Sequence, residues 1–324
     1  MINKKVTYSP ALASPPDSRD YPASFAMDMS NIKLPKDFSV WQPPVEDQGQ
    51  ISNCVAQSLA NVMECIEYLR TNEHKEYSVG YIYGRSSNPM GKGMVIREAC
   101  DILRKEGDVY RAIWECLEEN PDCFDKRFFV SDYIKSQAKK IDAYVKLETK
   151  EEVKAFIYKY NIPVVIAAKT SAYEGGSSDG LHATVCYGWE SEETFRNREG
   201  WKGPNHIYKE MLYTNSWGTY WADPDGRGNI SFEDLTEVWG VLPMEIIKLK
   251  DIEGRWSEKD VNYCVENGVI KGYEDNTFKP RNEITREETA VIAARILRNI
   301  DAKIEQHNKR LKVLEDMLNI TTGN

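Results

Sequence analysis

The chain has no long apolar runs. Of its 324 residues 41% are hydrophobic and 29% charged, and nowhere do the roughly 18 consecutive apolar residues of a membrane-spanning helix occur. The amino-terminal stretch carries Lys4 and Lys5 with no apolar segment behind them, so it encodes neither a secretion signal nor a membrane anchor. Positive charge is also in short supply. Lysine and arginine number 42 against 51 aspartates and glutamates, leaving a net charge of -9 without any basic run. That balance argues against a nucleic-acid partner, since nothing would neutralise phosphates. The seven cysteines, Cys54, Cys65, Cys100, Cys116, Cys123, Cys186 and Cys264, form an odd set with no CxxC pair. They encode neither a zinc site nor a disulfide framework, although Cys116 and Cys123 are close enough in sequence for a local bridge. No cofactor is expected.

What the chain does have is a sequence of distinct segments. Residues 1–33 are rich in Pro, Ser, Ala and Asp without periodicity and read as an extended arm. From Cys54, the run CVAQSLANVMECIEYLR sets Val55, Leu59, Val62, Ile66 and Leu69 on one helical face, with Ser52 or Asn53 available as N-cap. A second helical run, MVIREACDILRKEG, stops at Gly107, and a mostly helical, Tyr-rich stretch is expected as far as Tyr133. Beyond it TKEEVKAFIYKY reads as a helix, and PVVIAA, HATVCYGW, MLYTNS and VLPMEIIK read as strands. EETFRNREGWKGPNH reads as a hairpin excursion between two of those strands. A new unit begins near Lys250 and leads into a long helix from about Thr285, free of Gly and Pro until near its end.

Acyl transfer through sulfur needs a thiolate, a neighbouring imidazole, a group that orients the imidazole, and donors facing the developing oxyanion. Cys54 stands at the expected head of a long helix, where the macrodipole and unpaired N–H groups favour a thiolate. Histidine is scarce: His74, His206 and His307 lie in polar or terminal surroundings, and His182 alone opens an apolar, strand-like run. Its position after the GGSSDGL loop would place the ring at the edge of a cleft.

Four segments then agree with one family. DQGQISNCVAQS, LHATVCYGW, TNSWGTYW and LPKDFSVW resemble, in that order, the nucleophile segment, histidine strand, asparagine segment and mature start of papain-like cysteine peptidases. The interval from Cys54 to His182 is near the roughly 130 residues usual for such enzymes. The resemblance implies an α+β, two-lobed fold over 34–248, with a helical lobe and an antiparallel β-barrel-like lobe. It makes Cys54 the nucleophile, His182 the base and acid, Asn215 its orienting partner and Gln48, beside Gly49, the oxyanion donor. Trp217 would shield the Asn–His bond. Two positions depart from the family: Val55 replaces its usual aromatic and Ile51 a cysteine, so that disulfide is absent. The arm is also too short for the family's large inhibitory propeptide and is expected to lie in the cleft itself as a minimal brake. A protein or peptide is the implied substrate.

DPDGRGNISFED has the spacing of a weak calcium loop led by Asp223 and Asp225, with Arg227 in a ligand position and strand-like flanks; an acidic hairpin turn is the favoured reading. From Lys250, KDIEGRWSEKDVNYCVENGVIKGYEDNTFKPRNEITREETAVIAARIL resembles a single S-layer homology module, expected over 249–300. Such modules bind anionic wall polysaccharide, which makes Arg286 the implied charge partner and Trp256 its stacking neighbour. Thr285 and Glu288 would form a capping box. Leu297, Ile300, Ile304, His307, Leu311, Leu314 and Leu318 trace a heptad seam through a C-terminal helix over 301–324, which either docks on the peptidase or joins three chains in a trimer. The expected protein is a wall-associated cysteine endopeptidase. The alternatives are a wall-binding protein on a decayed peptidase scaffold and a murein-peptide hydrolase. Without a signal peptide, a cytoplasmic or virion-associated location is expected, with no membrane contact.

Overall fold

The computed structural model describes residues 11–17, 20–29, 32–85, 93–114, 130, 132–173, 176, 180–198, 207–220, 225–243, 249, 251–266, 269–270, 272–273, 277–297 and 300. It divides into two compact units, Met1–Met244 and Glu245–Asn324. In the first unit the described helices are α1 (Ala23–Ala26), α2 (Cys54–Thr71), α3 (Val79–Tyr83), α4 (Ile96–Lys105), α5 (Asp132–Ser136), α6 (Lys150–Tyr160) and α7 (Glu192–Asn197). Its strands are β1 (Ala11–Leu12), β2 (Phe38–Ser39), β3 (Met94–Val95), β4 (Ile141–Lys146), β5 (Val164–Lys169), β6 (Leu181–Trp189), β7 (Met211–Thr214), β8 (Arg227–Ile230) and β9 (Leu235–Pro243).

The periodicity of α2 does what its apolar stripe requires. Val55, Leu59, Val62 and Ile66 are buried in the core, and Leu69 packs against its margin. Asn53 is the N-cap, without a side-chain bond, and Asn72 ends the helix in the left-handed region at φ 55°. The start of α6 is more tightly specified. Thr149 Oγ1 accepts the Glu152 N–H, and the Glu152 carboxylate accepts the Thr149 N–H, a reciprocal capping box.

The sheet runs β3-β1-β6-β5-β9-β4, with β2 and β7 also on β6 and β8 on β7. The nine-residue β6 therefore organises the sheet lobe. At its far end Gly188 is required by close approach: a Cβ there would lie 2.2 Å from the Phe38 carbonyl oxygen as β2 crosses. β5, whose VVIAA is buried on both faces, is paired on both edges by β6 and β9.

Several expectations need adjustment. Met94 and Val95 are a short strand ahead of α4, because β1 of the arm supplies a strand partner. The arm also contains the single helical turn α1. In the expected hairpin excursion, 192–197 is the helix α7, begun by Ser191, whose Oγ accepts the Thr194 N–H; its Glu192 and Glu193 suit a helix N-terminus better than a strand. The last described strand is β9, which begins at Leu235, six residues before VLPMEIIK, whose positions 244–248 lie outside the described residues.

The second unit contains α8 (Glu258–Glu266) and a helix over 286–297. Its small apolar cluster joins Leu249, Ile252 and Val261 with Val265, Ile270 and Phe278. The Asp251 carboxylate accepts the Phe278 and Lys279 N–H groups at 2.7 Å each and so pins the turn. Thr285 and Glu288 exchange capping bonds of 2.8 and 3.1 Å at the helix start. The helix expected over 301–324, like Cys116 and Cys123, lies outside the described residues.

Candidate active site

Cys54 is the first residue of α2, and its Sγ accepts the Ala183 N–H at 3.3 Å. The helix terminus and the residue after His182 on β6 are thereby brought together. His182 Nε2 lies 2.8 Å from Asn215 Oδ1, and that same oxygen accepts the Ser216 N–H at 2.8 Å. An amide oxygen only accepts, so the imidazole proton sits on Nε2 and Nδ1 is bare. Nδ1 has no hydrogen-bond partner among the described residues. The ring stacks on Trp217 at 4.2 Å and 20°, and Tyr173 meets it edge-on at 5.3 Å. Between these two aromatics the imidazole has little freedom to turn.

Gln48 is fixed from the sheet lobe. Its N–H donates to the Ser216 carbonyl at 2.8 Å, and its Oε1 accepts the Ser216 hydroxyl at 2.7 Å. One Nε2 hydrogen goes to the Ile51 carbonyl at 2.8 Å, which leaves the amide its second donor. Gly49 follows at φ 56°, and its N–H donates to Asp47 Oδ1 at 2.9 Å. Asp47 is itself bridged to Trp217, so the loop before Cys54 and the Asn215 segment form one assembly.

The electrostatics differ from the sequence expectation. Burial pushes the Cys54 thiol up to about 12, against the opposing pull of the Ala183, Val55 and Cys54 N–H groups. Burial likewise lowers His182 to about 4, with the Asn215 bond working the other way. Neither residue exposes any surface (0% each). In this conformation desolvation outweighs the helix terminus, and the pair rests as neutral thiol and neutral imidazole.

Cys54, His182, Asn215 and Gln48, expected from the sequence to act together, thus share one neighbourhood. Ser216 and Tyr173 were missed. Ser216 lies within TNSWGTYW, where its spacing from Gln48 says nothing of their bond; Tyr173 carries no local signal. A crevice lined by Asn215 and Ser216 also reaches Asn53, Glu46, Glu64 and Arg111. Buried Glu64 is raised by desolvation and raises the His74 imidazole lying 2.9 Å away. Of the weak calcium loop, Asp223 lies outside the described residues, and the Asp225 carboxylate accepts the Arg227 N–H and guanidinium at 3.3 and 2.9 Å. Among the described residues no group of three or more His, Cys, Asp or Glu could hold a metal ion. In the second unit the Trp256 side chain is 91% exposed, and Arg286 is exposed at the start of the 286–297 helix.

Comparison with known proteins agrees with both units. The S-layer homology domain model matches residues 248–290. A cellulosome-anchoring protein of Acetivibrio thermocellus is 46% identical over 50 residues, which is 15% of this chain and 11% of that protein. The chain thus spans only about a tenth of that relative's length. Among solved structures, xylellain, a cysteine protease from Xylella fastidiosa, matches with a TM-score of 0.55 at 19% identity, over 74% of this chain and 96% of its own. Procathepsin B S9 from Trypanosoma congolense matches at 0.53 and 18%, over 70% and 84%. Digestive procathepsin L2 from Tenebrio molitor larval midgut matches at 0.54 and 16%, over 73% and 78%. The chain has the papain-like cysteine-protease fold, a mixed α+β architecture with a curled sheet, followed by an S-layer homology domain.

Proposed function

We propose that the first unit is a cysteine endopeptidase and that the second tethers it to bacterial cell-wall polysaccharide. The observation that carries the first half is the His182 Nε2–Asn215 Oδ1 bond, which leaves Nδ1 bare on a ring whose next residue touches the Cys54 sulfur. Nδ1 takes the thiol proton, and the thiolate attacks a peptide carbonyl to form a C–S bond. The Cys54 N–H and the second Gln48 Nε2 hydrogen face the resulting oxyanion. His182 then returns its proton to the leaving amine as the C–N bond breaks. Water, deprotonated at Nδ1, cleaves the thioester and regenerates the thiol. Asn215 holds the ring in one tautomer throughout, and Trp217 keeps water from that bond.

The wall-binding half rests on the match over 248–290 and on the exposed Trp256 and Arg286 within it. An indole face and a guanidinium suit the rings and acidic groups of an anionic polysaccharide. A thiol-directed peptidyl epoxide tests the catalytic reading: mass spectrometry should find it on Cys54, and His182→Ala should abolish the labelling. An unlabelled Cys54 in the chain freed of its arm, with intact wall binding, would favour a binding protein on a peptidase scaffold. Hydrolysis of peptidoglycan in preference to casein would favour the murein-peptide reading.

A further inference from the structure

The peptide unit between His182 and Ala183 is held at both ends. Its N–H is the Ala183 donor that meets Cys54 Sγ at 3.3 Å, and its carbonyl oxygen accepts the Tyr173 hydroxyl at 3.1 Å. The unit is trans, so these two groups point in opposite directions across one planar amide. Tyr173 Oη in turn accepts the Thr184 hydroxyl at 3.2 Å. A line of hydrogen bonds thus runs from Thr184 through the phenol and the amide to the sulfur, and every residue along it is buried.

The loop between β5 and β6 brings the phenol to this place. Thr170 donates its N–H and its hydroxyl to the Gly180 carbonyl at 2.7 and 2.8 Å, which closes the loop at its base. A single tight turn, Thr170–Ala172, then reverses the chain, and the Tyr173 N–H donates to the Thr170 carbonyl at 3.2 Å. The Tyr173 ring is caged edge-on by Tyr213 at 5.1 Å and Trp217 at 6.3 Å, besides the imidazole. Burial raises the phenol above its ordinary value, so it stays protonated and donates.

Polarisation gives this line a chemical consequence. A carbonyl that accepts a hydrogen bond leaves its own amide N–H a stronger donor, by about 10–30% per bond in a chain of such bonds. At the sulfur that N–H matters: burial raises the Cys54 thiol, and of the N–H groups that oppose burial, Ala183 acts most strongly, ahead of Val55 and Cys54 itself.

We infer that Tyr173 is a positioning residue for Cys54: its hydroxyl, oriented by Thr184, fixes and polarises the His182–Ala183 amide so that the Ala183 N–H stabilises the thiolate. The inference rests on the peptidase reading for its purpose but not for its test. The pH profile of Cys54 alkylation by iodoacetamide, a probe that needs no catalysis, is measured in the full-length parent, Tyr173→Phe, Thr184→Val and the double variant. Opening that admits the reagent scales the whole curve and leaves its midpoint in place. Tyr173→Phe keeps the ring beside His182 and removes only the hydroxyl. Its midpoint should rise by about 0.2–0.6 in pH, a roughly 1.5- to 4-fold loss of thiolate at any pH below it. Thr184→Val should move it less in the same direction, and the double variant no further than Tyr173→Phe, because Thr184 acts through the phenol. The rise should persist when His182→Ala is added to parent and variant alike, since the route is backbone. Midpoints that coincide in folded parent, Tyr173→Phe and Thr184→Val overturn the inference, even if the variants melt lower, and so does a rise that vanishes with the imidazole. Peptide hydrolysis is followed in parallel. A raised midpoint without hydrolysis in any chain upholds the role of Tyr173 and counts against the peptidase reading, whereas hydrolysis with an unmoved midpoint overturns that role alone.

Discussion

Asn215→Ala removes one oxygen on which two buried donors converge, the His182 Nε2–H and the Ser216 N–H, each at 2.8 Å. Asn215 is 3% exposed and His182 0%, so solvent does not readily replace the lost acceptor. Each orphaned buried donor costs about 1–3 kcal/mol, which sums to about 2–6 kcal/mol before relaxation. At roughly 2–4 °C per kcal/mol for a unit of this size, thermal unfolding should fall by about 4–24 °C. The chemical step loses more than stability, because without Asn215 the imidazole proton can shift to Nδ1 and block the thiol. At about 1.4 kcal/mol per tenfold, the same 1–3 kcal/mol on the His182 bond alone predicts a 5- to 150-fold loss in the rate of Cys54 labelling by a peptidyl epoxide. The assay is that rate beside a calorimetric melt, with Asn215→Gln as a variant that retains an acceptor. A variant that melts with the parent and labels within twofold of it would refute the reasoning, since the bond would then hold neither fold nor tautomer.

The remaining expectations concern stability, pH and assembly. Because burial lowers His182 from 6.5 to about 4, the folded chain binds fewer protons than the unfolded one in that interval; stability is full above pH 6.5 and should drop by about 3 kcal/mol towards pH 4. Denaturant titrations of parent and His182→Gln should differ by a constant offset above pH 6.5, and the parent should lose stability relative to the variant across that window; an offset that stays constant with pH would contradict the buried neutral imidazole. Thr149→Ala should cost about 1 kcal/mol by removing half of the α6 capping box, read as a shift in denaturant midpoint at constant slope. In the second unit, Leu297 and Ile300 are 60% and 46% exposed and open the heptad seam. If the seam trimerises the chain, light scattering should give a trimer that Leu297→Asp disrupts, whereas a monomeric parent removes that proposal.

The parts of the fold legible in sequence were those governed by local periodicity or turn chemistry. The α2 stripe, the apolar β5 and β6 runs, and the capping residue Thr285 each announce themselves within a few positions. The strand nature of Met94 and Val95 did not, because it depends on the arm arriving from over eighty residues away. α7 was hidden by the glycines after it, which suggest a hairpin although Ser191, Glu192 and Glu193 encode a helix start. At the site, the residue types were legible and the electrostatics were not: a helix terminus argues for a thiolate, and only the burial of Cys54 shows that desolvation wins in this conformation. Ser216 was invisible for a similar reason, since its bond to Gln48 is long-range.

The most direct test of the central claim is the pH profile of Cys54 alkylation in the chain freed of its arm, compared with the same chain also carrying His182→Ala. An imidazole that ionises the thiol predicts a reactive plateau beginning well below the free-thiol range in the first chain and its disappearance in the second. Identical profiles, both rising only as a free cysteine ionises, would contradict the account.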